Sequence, residues 1–221
     1  MTASSAAPVK HAVILAHPDP DSFNASIAEA YCWAVRDHGH VPVLRDLYAL
    51  HFDPILRQDE RPNREPFQPA TDVEAELTAI DGASVFTLVY PIWFGTPPAM
   101  LKGYVERVLG AGVTPHEVRD RHWHPLLSGK RLLSFSTSAM STPWLAGQDQ
   151  SLALRTVFDD YLAHAFSMAR PDHFHFGSIS ANLPPADVDR HLAKVGEEAR
   201  HVCMELDFQR RESRPAEQGI A

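Results

Sequence analysis

Residues 12–24 read AVILAHPDPDSFN. An apolar run with no alternation stops at His17 and gives way to two prolines, two aspartates and a serine. A short continuous apolar run suits a strand buried on both faces, which belongs in a parallel sheet covered by helices on both sides. The prolines and aspartates then mark a turn. Ser22 is placed to cap the helix that follows, in which Ile27, Tyr31, Ala34 and Val35 share one face. The stretch therefore reads as strand, turn and helix.

The same alternation continues along the chain. β-rich runs at 11–16, 41–46, 84–90, 131–137 and 173–179 are separated by helix-period segments. These run over 22–38, from about residue 72, over 97–109, from about 151 and from 185. In the third, Leu101, Tyr104, Val105 and Val108 share a face behind Pro97-Pro98, where a helix start tolerates proline. The order predicts an α/β fold: a doubly wound, five-stranded parallel sheet of the flavodoxin type, order 2-1-3-4-5, with helices on both faces. Segments 53–70 and 110–130, rich in proline or in glycine, histidine and proline, read as long loops. One domain is expected over 11–206, with flexible segments at 1–10 and 207–221.

Composition narrows the partners. With 221 residues and 44% hydrophobic content the chain can bury one good core. A net charge of −8 without a basic stripe argues against nucleic acid or an anionic membrane surface as partner. The first residues do not read as a secretory signal and no run reaches membrane-spanning length, so a cytoplasmic protein without membrane insertion is expected. Cys32 and Cys203 fall in helical patterns without C-x-x-C spacing and read as small buried thiols. His122-Trp123-His124 has the spacing of two metal ligands but no third at a recognised interval, and reads as a surface loop.

In an open α/β sheet, ligands bind beyond the carboxyl ends of the strands where the winding reverses. Three segments converge there: 17–24, 91–94 and 136–140. Ser22 at a helix start offers free N–H groups and a positive dipole end to an anion, and His17 adds a ring donor. Taken alone, a serine after a strand is an ordinary cap. Pro91, Ile92, Trp93 and Phe94 supply a flat apolar wall, and Ser136, Thr137 and Ser138 supply hydroxyl and N–H groups beside it. Together they suit a planar heteroaromatic ring on a phosphate chain. The turn lacks both G-x-G-x-x-G and Gly-Lys-Ser/Thr, which argues against a dinucleotide bound in Rossmann fashion.

The stretches AHPDPDSFN (16–24), DLYALHFDP (46–54), YPIWFGTPPAMLKGYVERV (90–108) and GKRLLSFSTS (129–138) resemble the NAD(P)H:quinone oxidoreductase family of the flavodoxin-like superfamily. That resemblance implies a homodimeric two-electron flavoenzyme holding FAD, or FMN as in some bacterial relatives. NADH or NADPH would be the donor and a quinone-like small molecule the acceptor, in ping-pong exchange. It implies that His17, Ser22, Phe23 and Asn24 hold the flavin's phosphate chain and that Pro91, Ile92, Trp93 and Phe94 face its ring. Trp93 and Trp144 would wall the acceptor. The chain departs from the family in having Ser136-Thr137-Ser138-Ala139 where Thr-Thr-Gly-Gly is usual, which adds Cβ atoms near the ring. By spacing, Trp144 and Gln150 stand where mammalian members place a tyrosine and a histidine. Two other readings are an ancillary regulatory subunit of a potassium-efflux system and an electron-carrier flavoprotein.

Overall fold

The computed structural model describes residues 7–62, 67–169 and 171–212. Strand β1 (Lys10–Leu15) lies between β2 (Val41–Asp46) and β3 (Ala83–Pro91), with β4 (Arg131–Thr137) and β5 (Asp172–Phe176) beyond, all parallel, in the order β2-β1-β3-β4-β5. The expected fold class is thus borne out. The continuous apolar runs are the central strands, because a strand covered on both faces has no solvent side to make polar. Pro42 sits on the edge strand β2, where a missing N–H costs no ladder bond.

The helices are α1 (Phe23–Asp37), α2 (Thr71–Ile80), α3 (Ala99–Tyr104), α4 (Pro115–Asp120), α5 (Thr142–Gly147), α6 (Gln150–Leu154), α7 (Tyr161–Ala165) and α8 (Pro185–Glu212). On one face Val13, Leu15, Val89 and Phe135 meet Ile27, Tyr31 and Val35 of α1 and Val195 and Val202 of α8. On the other, Ile14, Phe86, Leu88 and Tyr90 meet Val73, Ile80, Leu101, Leu154 and Leu162 from α2, α3, α6 and α7. No helix among the described residues is long and apolar enough to cross a membrane.

Two wide π-helical turns interrupt the second layer: Val105–Leu109 continues α3, and Arg155–Asp160 joins α6 to α7. Each carries a buried charge, Arg107 at 2% exposure and Asp159 at 1%. Arg107 binds both oxygens of Glu60 (Nη2 to Oε1 2.6 Å, Nε to Oε2 3.1 Å), both oxygens of Asp72 (2.7 and 2.9 Å) and the Asp53 carbonyl. Segment 53–70, expected as a plain loop, is therefore anchored through Asp53 and Glu60, and Gln58–Glu60 forms a short 3₁₀ turn.

Other boundaries also differ from the sequence reading. Segment 110–130 contains α4, started by Thr114 and Glu117 in a reciprocal capping box with Pro115 in the first turn. The helix expected from 151 is broken into α6, a π turn and α7, preceded by α5. β5 ends at Phe176. Helix α8 runs past the expected boundary at 206 to Glu212; residues 1–6 and 213–221 of the expected flexible segments lie outside the described residues.

That extension has a polar fastening. Asp207 faces Nε2 of both His38 (3.3 Å) and His40 (3.2 Å); His40 Nδ1 lies 3.2 Å from His11 Nε2, whose Nδ1 meets the Tyr31 hydroxyl at 2.9 Å. His11 is fully buried, and burial, then the neighbouring His40 and His38, push its pKa down to about 3. Cys32 and Cys203 are free, buried thiols as expected, raised by desolvation to about 11 and about 12.

α3 is held close to the strand-two side of the domain by Gly103, where a Cβ would fall within 2.5 Å of Pro54 Cα. Gly103→Ala is expected to lower stability by about 1–3 kcal/mol through overpacking. An unchanged urea midpoint would refute this close approach.

Candidate active site

At the carboxyl ends of β1, β3 and β4, three turns enclose a cleft of about 240 Å³ lined by His17, Ser22, Phe23, Asn24, Pro91, Ile92, Trp93, Thr137, Ser138, Ala139 and Ile179. In the first turn, Asp19 Oδ1 accepts the Asp21 N–H (2.9 Å) and the Asp19 carbonyl accepts the Ser22 N–H (3.2 Å). Ser22, extended at φ −69° and ψ 157°, caps α1 by accepting the Ala25 N–H at 3.2 Å. The N–H groups of Phe23 and Asn24 have no partner among the described residues, as a helix start dictates. His17 Nδ1 is held by the Asp19 backbone (3.1 Å from its N), which leaves Nε2 free, and its ring lies 5.9 Å from that of Trp93.

Asn24 is 3% exposed and its side chain is committed to the protein: Nδ2 donates to Thr137 Oγ1 at 3.0 Å. It joins α1 to the end of β4, so its backbone N–H is what it presents to a ligand. The second turn is anchored by Ile92 N–H to the Thr137 carbonyl at 2.7 Å. Trp93 and Thr96 then exchange backbone bonds (3.0 and 3.2 Å) around Phe94 and Gly95, at φ 51° and 84°. Two positive φ values in a two-residue turn match type I′. Phe94 stands fully exposed at its tip, outside the lining.

The third turn divides the three expected residues. Thr137 and Ser138 reach the cleft; Ser136 does not. Strand alternation turns Ser136 to the other face, where it is fully buried between His173 Nε2 (2.6 Å) and His175 Nδ1 (2.9 Å). Asp159, His173 and Ser136 follow the order of a nucleophilic triad, yet a hydroxyl closed in by two rings cannot meet a substrate carbonyl. Trp144, 46% exposed on α5, is not among the lining residues, while Gln150 approaches the second turn, its Nε2 2.9 Å from where a Cβ on Gly95 would stand.

Ala139, expected within the segment 136–140, closes the cleft with Ile179, which the sequence reading missed along with the histidines behind it. A signal for these existed: Ser134, Ser136 and Ser138 alternate on β4 and its extension, as do His173 and His175 on β5, so one face of two adjacent strands is polar. Burial, then His173, push the His175 pKa down to about 4, so its ring is neutral at pH 7. His122 and His124 join no cluster of potential metal ligands among the described residues; His124 Nδ1 accepts the Leu127 N–H at 3.2 Å within its own turn.

A doubly wound sheet with a helix N-terminus and an apolar wall at its switch point defines the class of flavodoxin-like proteins. The chain belongs to that family: the model for the flavodoxin-like fold matches residues 9–200. It is 35% identical over 130 residues to a Haemophilus influenzae protein named as an uncharacterized NAD(P)H oxidoreductase, covering 58% of this chain and 64% of that one. It is 32% identical over 143 residues to rat NAD(P)H dehydrogenase [quinone] 1, covering 57% of this chain and 52% of that one. The chain thus spans about half to two thirds of these relatives' length. The NAD(P)H:quinone oxidoreductase of Methanothermobacter marburgensis shares the fold with a TM-score of 0.73 at 20% identity, over 89% of this chain and 96% of that one. An FMN-dependent NADH-azoreductase of Bacillus anthracis, solved with FMN, shares it at 0.61 and 15% identity, over 89% and 99%. The resemblance drawn from the sequence motifs is borne out.

Proposed function

We propose that this chain is a flavin-dependent NAD(P)H dehydrogenase acting on quinone-like acceptors by ping-pong exchange. The observation that carries the reading is the pair of unpartnered N–H groups at the start of α1, beside the apolar wall of Pro91, Ile92 and Trp93 in one cleft. This donor set fits an anion attached to a flat ring. A bound flavin, FAD or alternatively FMN, would supply a ring that takes hydride from NADH or NADPH and returns it to the acceptor. Phe23 and Asn24 N–H groups, with His17 Nε2, hold its phosphate in this reading. Pro91, Ile92 and Trp93 position the ring, and the Thr137 and Ser138 side chains flank it, the Ser138 N–H being committed to the Phe176 carbonyl at 3.0 Å. Trp144, exposed on α5 and outside the lining of this cleft, is kept in this reading as a wall for the acceptor.

The cleft of 240 Å³ in one chain falls below the roughly 300–1,000 Å³ of ligand sites in general. A second copy completing it is the homodimer of this reading, and Phe94, exposed on its turn, is then covered. A cytoplasmic setting belongs to the same proposal. The names of the relatives favour an enzyme over an ancillary subunit or an electron carrier.

The test is flavin titration of the apoprotein. Replacing Ser22 and Asn24 together with leucine is expected to weaken binding by roughly 10- to 100-fold, the scale of one or two lost polar contacts. Undiminished affinity in a folded double variant would remove the first turn from the site.

A further inference from the structure

Behind the third turn, an unbroken line of polar side chains runs from the cleft to a buried carboxylate. Ser138 lines the cleft and its Oγ lies 3.0 Å from His175 Nε2; His175 Nδ1 lies 2.9 Å from Ser136 Oγ. Ser136 Oγ lies 2.6 Å from His173 Nε2, and His173 Nδ1 lies 2.5 Å from Asp159 Oδ2. Asp159 Oδ1 accepts the Ser134 hydroxyl at 2.6 Å, and Ser138 donates to the Met140 carbonyl at 2.8 Å. Ser134 and Ser136 are fully buried, Asp159 and Ser138 nearly so, and the His173 side chain is 5% exposed. The other titratable group against the pair is Tyr90, edge-on to His173, which burial and the Asp159 charge keep protonated.

Donor counting gives the line a direction. The Met140 carbonyl only accepts, so the Ser138 O–H points to it and Ser138 Oγ accepts from His175 Nε2–H. His175 is neutral, so its Nδ1 accepts the Ser136 O–H. Ser136 Oγ must then accept from His173 Nε2–H, while His173 Nδ1 faces a carboxylate. With the Ser138 O–H on Met140, these contacts are satisfied together when the His173–Asp159 pair holds one proton more than a neutral ring beside an ionised carboxylate, because a single ring N–H cannot serve both Asp159 and Ser136. Remove that proton and every hydroxyl reverses: Ser138 turns its O–H to His175, and the Met140 carbonyl keeps the Ser178 N–H at 2.9 Å. The line has two states, one proton apart.

We propose that Asp159, His173, Ser136, His175 and Ser138 form a one-proton relay that delivers to the cleft the proton consumed in quinone reduction. This rests on the quinone-reductase reading of the cleft. The reaction NAD(P)H + H⁺ + quinone → NAD(P)⁺ + hydroquinone moves two electrons with the hydride and needs one proton besides. The relay supplies it in concert. The Ser138 O–H turns from the Met140 carbonyl to the acceptor oxygen and its bond breaks as the proton passes over, and Ser138 Oγ takes the proton of His175 Nε2. His175 Nδ1 takes that of Ser136, and Ser136 takes that of His173 Nε2. His173 is left neutral beside the Asp159 carboxylate. No electron passes along the line, and solvent returns the proton after product leaves.

The first measurement needs no turnover: nitrogen-15 NMR of the histidine rings in the apoprotein at pH 7. Protons on Nε2 of both His173 and His175, with Nδ1 of His175 bare, are expected; Nδ1 protonated on His175 with Nε2 of His173 bare would overturn the loaded state. The second uses flavin-loaded protein. His173→Gln and His175→Gln are expected to keep flavin affinity, lose roughly 100-fold in turnover, the scale of a positioned proton donor, and show a larger solvent deuterium isotope effect on quinone reduction. Should either fail to fold, Ser138→Ala removes only the cleft-end hydroxyl and is expected to show the same rise in isotope effect. Undiminished turnover with flavin bound overturns the relay alone. Parent protein that binds no flavin overturns the reading of the cleft, and the relay's task with it.

Discussion

Arg107→Met is expected to destabilise the fold by about 3–5 kcal/mol, because it strands a buried carboxylate. The Glu60 side chain is 6% exposed and Arg107 is its cation, with Asp72 and the Asp53 carbonyl completing the set. Although desolvation opposes it, bonding to Asp72 and Glu60 holds the guanidinium pKa above its ordinary value. The same bonding, led by Arg107, lowers the Asp72 carboxyl. Replacing both buried partners by apolar groups removes the stranded charge, so Arg107→Met with Glu60→Leu is expected to recover a large part of the loss. Urea denaturation of parent, single and double variants reads this directly. A single-variant loss below about 1 kcal/mol, the scale of an exposed pair, would show that the cluster is solvated after all.

The second large effect is acid lability. His11 and His175 have folded pKa values depressed to about 3 and about 4, from an ordinary 6.5. Between those values the unfolded chain takes up protons that the folded chain refuses. Their contribution is therefore fully present above pH 6.5 and is lost as pH falls toward 4 and below. At about 1.4 kcal/mol per unit the two together amount to several kcal/mol, a large share of the roughly 5–15 kcal/mol that stabilises a typical domain. Unfolding free energy should fall steeply from pH 6.5 to 4.5, and His11→Gln should flatten that slope while lowering stability at pH 7. A parent protein equally stable at pH 7 and pH 4.5 would contradict the burial of neutral rings.

Much of the fold could be read from the sequence because its central strands are apolar on both faces and its helices keep one apolar face. β2 and β4 begin and end where the β-rich runs do. The cleft was legible at His17, Ser22, Phe23, Asn24, Pro91, Ile92, Trp93, Thr137 and Ser138, because topology alone puts the carboxyl ends of β1, β3 and β4 together. Ser136 was assigned to the cleft on residue type; strand alternation turned it to the other face. Phe94 needed knowledge of a turn with two positive φ values, which the pair Phe94-Gly95 signals only through its glycine. The π turns had no signal, since a helix period broken by one residue resembles noise, and without them neither Arg107 nor Asp159 could be assigned a buried place.

His11 has a consequence for how the sheet aligns. Side chains on a strand repeat every second residue, so sliding β1 by two positions against β2 would leave Val13 and Leu15 on the same apolar side. Greasy contacts alone distinguish such alignments poorly. His11 does not tolerate the slide: only with Lys10 opposite Val41 and His11 opposite Pro42 do its two nitrogens find Tyr31 and His40. Any other alignment would bury an imidazole with neither partner, at a cost of roughly 1–3 kcal/mol for each unmet group. The buried histidine works as an index mark, penalising a misaligned sheet more than it strengthens the correct one.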